Sequence, residues 1–127
     1  RERAVNAAPH LLRGRAAEDL AAAHLAGQGL HILARNYRVA GGEIDLIARH
    51  GAELVFVEVR SRRSAAFGSA AESVTPAKRR RLLLAAQHYL ATLGQRTPPP
   101  CRFDVISITG TVDAQHLEWL RDAFSND

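Results

Sequence analysis

The sequence predicts an α/β domain in which a mixed β-sheet is flanked by helices, with its elements in the order α-β-β-β-α-β. Three observations carry that expectation. Two short runs rich in Val, Ile and Phe, residues 41–49 and 54–61, are separated by the turn signal His50-Gly51-Ala52-Glu53 and read as a hairpin. Thr75-Pro76 then opens a helix, with Thr as N-cap and Pro at the first helical position. A further strand-like run, residues 102–108, lies beyond that helix, so a helical crossover returns the chain to the same sheet. A length of 127 residues suits one domain with a proper core. No internal repeat, coiled coil or second domain is visible, and residues 1–12, which lack a period, read as a loose N-terminal end.

Taken in order, Gly14 to Gln28 reads as a helix with Ala17, Leu20, Ala21, His24 and Leu25 at helical spacing and Gly27 and Gly29 as stop signals. Glu18 borders that inward stripe; an ordinary favourable acid in a first helical turn explains it equally well. His31 to Val39 is a first strand, and Ala40-Gly41-Gly42 turns into the second. The helix from Thr75 runs to about Leu93 on an apolar face of Leu82, Leu83, Ala86, Tyr89, Leu90 and Leu93. Residues 64–73, rich in Ala, Ser and Gly, read as a loop, and residues 94–100 as a Pro-rich connection. Asp113 to Phe124 fits a terminal helix with Leu117, Leu120 and Phe124 inward; Trp119, the only tryptophan, suits packing or a partner contact.

The hairpin carries an unusual feature. Asp and Glu are depleted in sheets, yet Glu43, Asp45 and Glu58 interrupt runs that otherwise look buried. A two-residue turn at Gly51-Ala52 pairs His50 with Glu53 and puts Asp45 opposite Glu58. A turn at His50-Gly51 pairs Asp45 with Phe56 instead, but period-two alternation keeps Asp45, Glu58 and Arg60 on one face. Ile44, Leu46 and Ala48 with Val55, Val57 and Val59 then form an apolar face opposite. Like charges directly across a hairpin destabilise it and bring side chains within about 5 Å. Two such carboxylates call for a cation, and Mg²⁺ favours one or two carboxylates plus water and substrate phosphate. The alternative is an exposed edge, with Asp45 and Glu58 neutralised by Arg49, Arg60 and Arg62.

Composition narrows the partners. Hydrophobic residues at 46% and charged ones at 24% are ordinary for a globular protein. No run of apolar residues is long enough for a membrane span, and no basic-then-apolar leader is seen. The single cysteine, Cys101, makes no internal disulfide and fits a cytoplasmic location. A net charge of +4 and a pI of 10.2 favour a polyanion such as nucleic acid. That charge is clustered at Arg60, Arg62 and Arg63 and again at Lys78, Arg79, Arg80 and Arg81, where Lys78 is the chain's only lysine. Lys78 lies one turn before Leu82 on the same side, from where it can point at the carboxylates; a solvated helix end is the commoner outcome for such a run. The six histidines form no HxxxH pair, one cysteine makes no zinc pattern, and no Gly-rich phosphate loop precedes a helix.

An acid on the first helix (Glu18), an Asp on the second strand (Asp45) and Glu58-Val59-Arg60 on the third resemble the PD-(D/E)xK nuclease superfamily. The fuller string adds Gly42 to Ala48, Val55 to Arg63, Phe67-Gly68, Val74-Thr75-Pro76-x-Lys78 and Arg102 to Val105. It resembles the YraN family, which is similar to archaeal Holliday-junction resolvases, over about Arg13 to Phe124. The resemblance implies a restriction-endonuclease-like core and a metal-dependent endonuclease acting on DNA, branched or recombining structures included. By that resemblance Asp45 and Glu58 ligate Mg²⁺ or Mn²⁺ with the Val59 carbonyl as a further ligand, and Glu18 orients a water on the metal or completes a second metal site. The metal lowers the pKa of water and offsets charge on the phosphate. Arg60, Arg62, Arg63, Lys78, Arg79 and Arg81 hold the DNA backbone, giving salt-dependent and largely sequence-independent binding. A resolvase also needs two sites related by symmetry, hence a homodimer. One departure matters: the superfamily lysine is Arg60 here, and Arg stays protonated and cannot serve as a base. Either the metal alone activates water, or Lys78 replaces the missing lysine, or the chain binds nucleic acid without cutting it.

Overall fold

The structure, a computed structural model, describes residues 9–62, 74–111 and 114–125. Its elements are α1 (Pro9–Gly27), β1 (His31–Val39), β2 (Gly42–His50), β3 (Glu53–Arg62), α2 (Pro76–Thr92), β4 (Cys101–Thr111) and β5 (Ala114–Phe124). The five strands form one sheet in the order β1-β2-β3-β4-β5. β3 and β4, joined through α2, are parallel, and every other neighbouring pair is antiparallel. This mixed sheet between helices is compatible with the restriction-endonuclease-like core.

The two faces of the sheet carry separate cores. On one, Ala17, Ala21 and Leu25 of α1, four residues apart and buried, lie against Leu46, Ala48, Val55, Val57, Ile106 and Ile108. On the other, Leu82, Ala85 and Ala86 of α2 lie against Ile44, Ile47, Phe56, Phe103 and Val105. With a helix on each face, β2 and β3 bury consecutive residues such as Leu46-Ile47-Ala48, which is why alternation is blurred there. Gly42 marks how closely α2 docks: a Cβ at that position would lie 2.4 Å from the Arg81 carbonyl oxygen. The mouth of the β1–β2 turn is thereby pinned to the helix that carries Lys78.

Several expectations need correction. Helix α1 begins at Pro9, inside the stretch read as a loose end, because proline suits the first turn and Gly14 weakens a helix by only about 1 kcal/mol. Leu20 is 41% exposed, since the 17/21/25 stripe alone faces the sheet. Ile44 sits with the α2-side core instead of with Leu46 and Ala48. The largest correction is β5, a strand where a helix was expected. Leu117, Leu120 and Phe124 do have helical spacing, but in a strand odd and even positions alternate between the two faces of the sheet. Leu117 and Trp119 therefore pack on the α1 side while Leu120 and Phe124 pack on the α2 side. Buried Asp104 holds this arrangement: it accepts from Trp119 Nε1 at 2.9 Å, from the Asp122 backbone N–H at 2.9 Å and from Arg102 Nε at 3.0 Å. Asp122 itself is in the left-handed region at φ 53°. Tertiary pairing with β4 overrides a local helical pattern.

Candidate active site

The hairpin register decides where the acids fall. His50 pairs with Glu53, as a turn at Gly51-Ala52 requires, and the ladder runs back to Leu46↔Val57, after which Asp45 and Glu58 come next. There the strands part. The Asp45 Oδ2 takes the place of a strand partner and accepts from the Val59 N–H at 2.8 Å. Because the N–H and C=O of one strand residue point to the same side, the Val59 carbonyl faces this gap as well. Asp45 and Glu58 lie close enough to act on each other electrostatically.

Neither acid lies on an exposed edge. β2 and β3 are interior strands, and the Glu58 side chain is 13% exposed. Arg49 bonds the Gly51 carbonyl at the far end of the hairpin and takes no part in neutralising them. Burial, the neighbouring Glu58 and Glu18 together push the Asp45 carboxyl up to about 8, against the pull of the Val59 N–H. Burial also raises Glu58, opposed first by the Arg60 charge and further by Lys78. Near neutral pH the Asp45 carboxyl therefore keeps its proton beside Glu58.

The cations predicted for the site divide into two sets. A cleft of about 140 Å³ is lined by Glu43, Glu58, Arg60, Lys78, Arg81 and Leu82. Arg60 Nη1 lies 3.5 Å from Glu58 Oε2, while its Nε is buried and donates to nothing among the described residues. Lys78, whose backbone N–H is capped by Thr75 Oγ1, stands on the same cleft. Burial and then Arg60 lower its pKa, opposed by Glu58 and Asp45. Arg79 belongs elsewhere: its guanidinium lies over the Phe124 ring at 4.9 Å and its Nε donates to the Val74 carbonyl. Arg62 Nη2 donates to Ser107 Oγ at 3.3 Å, further along β3. Arg63 lies outside the described residues.

Glu18 approaches from the α1 side. Its Oε1 accepts from Asn36 Nδ2 at 3.1 Å and lies 3.8 Å from Arg35 Nη2, and its side chain is 17% exposed. Among the described residues no three His, Cys, Asp or Glu side chains converge tightly enough to hold a metal ion between them. Glu18 acts on Asp45 through its charge. The pair itself could hold one hard cation: two neighbouring carboxyls stand beside a strand carbonyl facing the same gap, and such an ion would displace the Asp45 proton. Two neighbours went unread in the sequence, Asn36 and Glu43 as a cleft wall. Asn is depleted in strands, which was the available signal for Asn36.

The fold and this acid pair define a sheet-embedded, two-carboxylate site open to a basic cleft. The sequence profile of the uncharacterised protein family UPF0102 matches residues 17–108, and the chain belongs to that family. A UPF0102 protein of Cupriavidus necator is 58% identical over 117 residues, covering 91% of this chain and 85% of its own length. Others from Nitrosococcus oceani, at 50% identity over 92% of this chain and 94% of theirs, and Dechloromonas aromatica, at 55% over 91% and 90%, are similar along nearly the whole length. No helix among the described residues is long and apolar enough to cross a membrane.

Proposed function

We propose that this chain is a divalent-metal-dependent endonuclease that hydrolyses phosphodiester bonds in DNA, in the cytoplasm. The observation that carries the reading is the Asp45–Glu58 pair, buried in the sheet, with Glu58 lining the Arg60–Lys78 cleft. Stacking two acids there is costly for stability, and an acid pair beside free donors is the arrangement expected of a site that takes a cation and a phosphate.

Asp45, Glu58 and the Val59 carbonyl would hold Mg²⁺ or Mn²⁺, which when bound supplies activation of water and neutralises phosphate charge. The chain's own groups do the remaining work. Arg60, fixed at one end by Glu58, lines the cleft and brings its positive charge to an anion there. Lys78 occupies the cleft from α2 in place of the superfamily lysine, and its lowered pKa favours accepting a proton from the attacking water. Arg81, exposed at the cleft, contacts the DNA backbone.

The test is cleavage of labelled single-stranded, duplex, flap and four-way-junction DNA with Mg²⁺, Mn²⁺ or chelator, alongside Asp45→Asn. Metal-dependent cutting that Asp45→Asn abolishes is expected; preference for the junction would call for a homodimer, checked by sedimentation. A second reading, a nucleic-acid-binding module without turnover, is favoured by one feature, Arg60 standing where a base-competent lysine is expected. Binding without cutting in every metal would select it.

A further inference from the structure

Asn36 touches the candidate site from both directions. It lies with Asp45 between the paired positions Arg35↔Leu46 and Tyr37↔Ile44, so the two residues face one another across β1 and β2. Its side chain donates to Glu18 on α1. Its backbone is in the left-handed region at φ 52°, in the interior of a strand. Asn tolerates that conformation better than other residues with a side chain, yet it is strained there, and such strain concentrates at functional sites.

The conformation has a visible effect on both strands. Ala34 and Tyr37, three residues apart, both pack with the α2-side core, and so do Ile44 and Ile47. Regular strands place residues three apart on opposite faces. β1 and β2 therefore both change phase at the Asn36/Asp45 pair. As a result Arg35 and Asn36, consecutive in sequence, both reach α1: Arg35 Nη2 bonds Asp19 Oδ1 at 2.7 Å and Asn36 bonds Glu18.

We infer that Asn36 is a positioning residue, which uses its left-handed backbone and its amide to fix Glu18 beside Asp45 and so to strengthen the hold of the Asp45–Glu58 pair on a divalent cation. The inference rests on the reading of that pair as a metal site. It assigns Asn36 no contact with substrate. Arg35 supports it by anchoring the same helix through Asp19.

The conformation and the amide separate by substitution. Asn36→Gly keeps the left-handed backbone at no steric cost and removes the amide; Asn36→Ala removes both. Mn²⁺ uptake by the DNA-free protein, read as loss of the free-ion EPR signal, gives affinity without relying on cleavage, and thermal unfolding reports the fold. Asn36→Gly is expected to bind Mn²⁺ about tenfold more weakly at unchanged Tm, the size usual for a residue that orients a metal site from outside it. Asn36→Ala should lose at least as much and unfold earlier. In a Glu18→Gln background Asn36→Gly should add little, because it acts through Glu18. Wild-type Mn²⁺ affinity in Asn36→Gly, or a lowered Tm as its only effect, overturns the inference. If the wild type binds Mn²⁺ but cuts no DNA, the nuclease reading falls while the Mn²⁺ titration still decides on Asn36. If it takes up no Mn²⁺, both fall.

Discussion

Two buried acid centres sit in the same sheet and are opposites. Asp104 on β4 is 1% exposed, and its carboxylate receives the Arg102 guanidinium, the Trp119 indole and the Asp122 N–H. Arg102 in turn reaches Glu53 at 2.7 Å, so one guanidinium ties the two acids into a hydrogen-bonded network. Asp45 receives one backbone N–H and faces a second acid. One centre uses its polar groups to hold β5 in place; the other buries two neighbouring carboxyls whose mutual repulsion is only partly offset by hydrogen bonds. Burial alone does not mark a functional carboxylate; a second acid held beside it, at the edge of a cleft, does.

The sharpest way to break the comparison is to remove each acid in turn. Asp104→Ala leaves the Arg102 charge, the Trp119 N–H and the Asp122 N–H without their acceptor and should cost about 3–5 kcal/mol in urea unfolding. It should also release β5, seen as a Trp119 emission shift. Asp45→Asn is expected to leave stability equal or higher at pH 8, since it removes half of a repelling pair, while abolishing metal-dependent cleavage. Equal destabilisation by both substitutions would mean that the two acids do the same structural work.

A smaller effect separates them by pH. The Asp45 carboxyl is raised from 3.8 to about 8, so between those values the folded chain keeps a proton that the unfolded chain has released. Stability should therefore fall as pH rises through that window, by at most about 1.4 kcal/mol per pH unit, less for the part of the site that water reaches. Asp45→Asn should flatten this slope in urea titrations run from pH 5 to about pH 8. Millimolar Mg²⁺ should raise the wild-type Tm more at pH 8 than at pH 6, because binding displaces the Asp45 proton. A slope that survives in Asp45→Asn would assign it to another group.

The same contrast separates what the sequence discloses from what it hides. The hairpin register follows from turn chemistry between neighbouring residues, so the positions of Asp45 and Glu58 could be read in advance. Thr75-Pro76 and Lys78 likewise carry local signals. The Asp104 centre joins residues 15 and 18 apart across a register irregularity, and no local pattern encodes it; Leu117, Leu120 and Phe124 instead imitate a helix. Asn36 is hidden for a similar reason: its partner Glu18 lies 18 residues away, on another element. Arg79 and Arg81, two residues apart in one basic block, look equivalent in sequence and face different surroundings.

That last pair gives the smallest and most discriminating prediction. Arg81 is exposed at the cleft, so Arg81→Ala should leave unfolding unchanged and weaken DNA binding uniformly across sequences. The slope of log affinity against log salt should drop by about 1, the loss of one phosphate contact. Arg79 lies over Phe124, where the β5 strand ends against the α2-side core. Arg79→Ala should cost about 1 kcal/mol of stability through the lost cation–π and packing contacts. Its salt slope should match the wild type. Fluorescence anisotropy over a salt series, with urea unfolding of the same preparations, reads both quantities. An unchanged salt slope in Arg81→Ala would take DNA off the Lys78 side of α2, and the proposed path of the backbone past the Asp45–Glu58 pair would have to be redrawn.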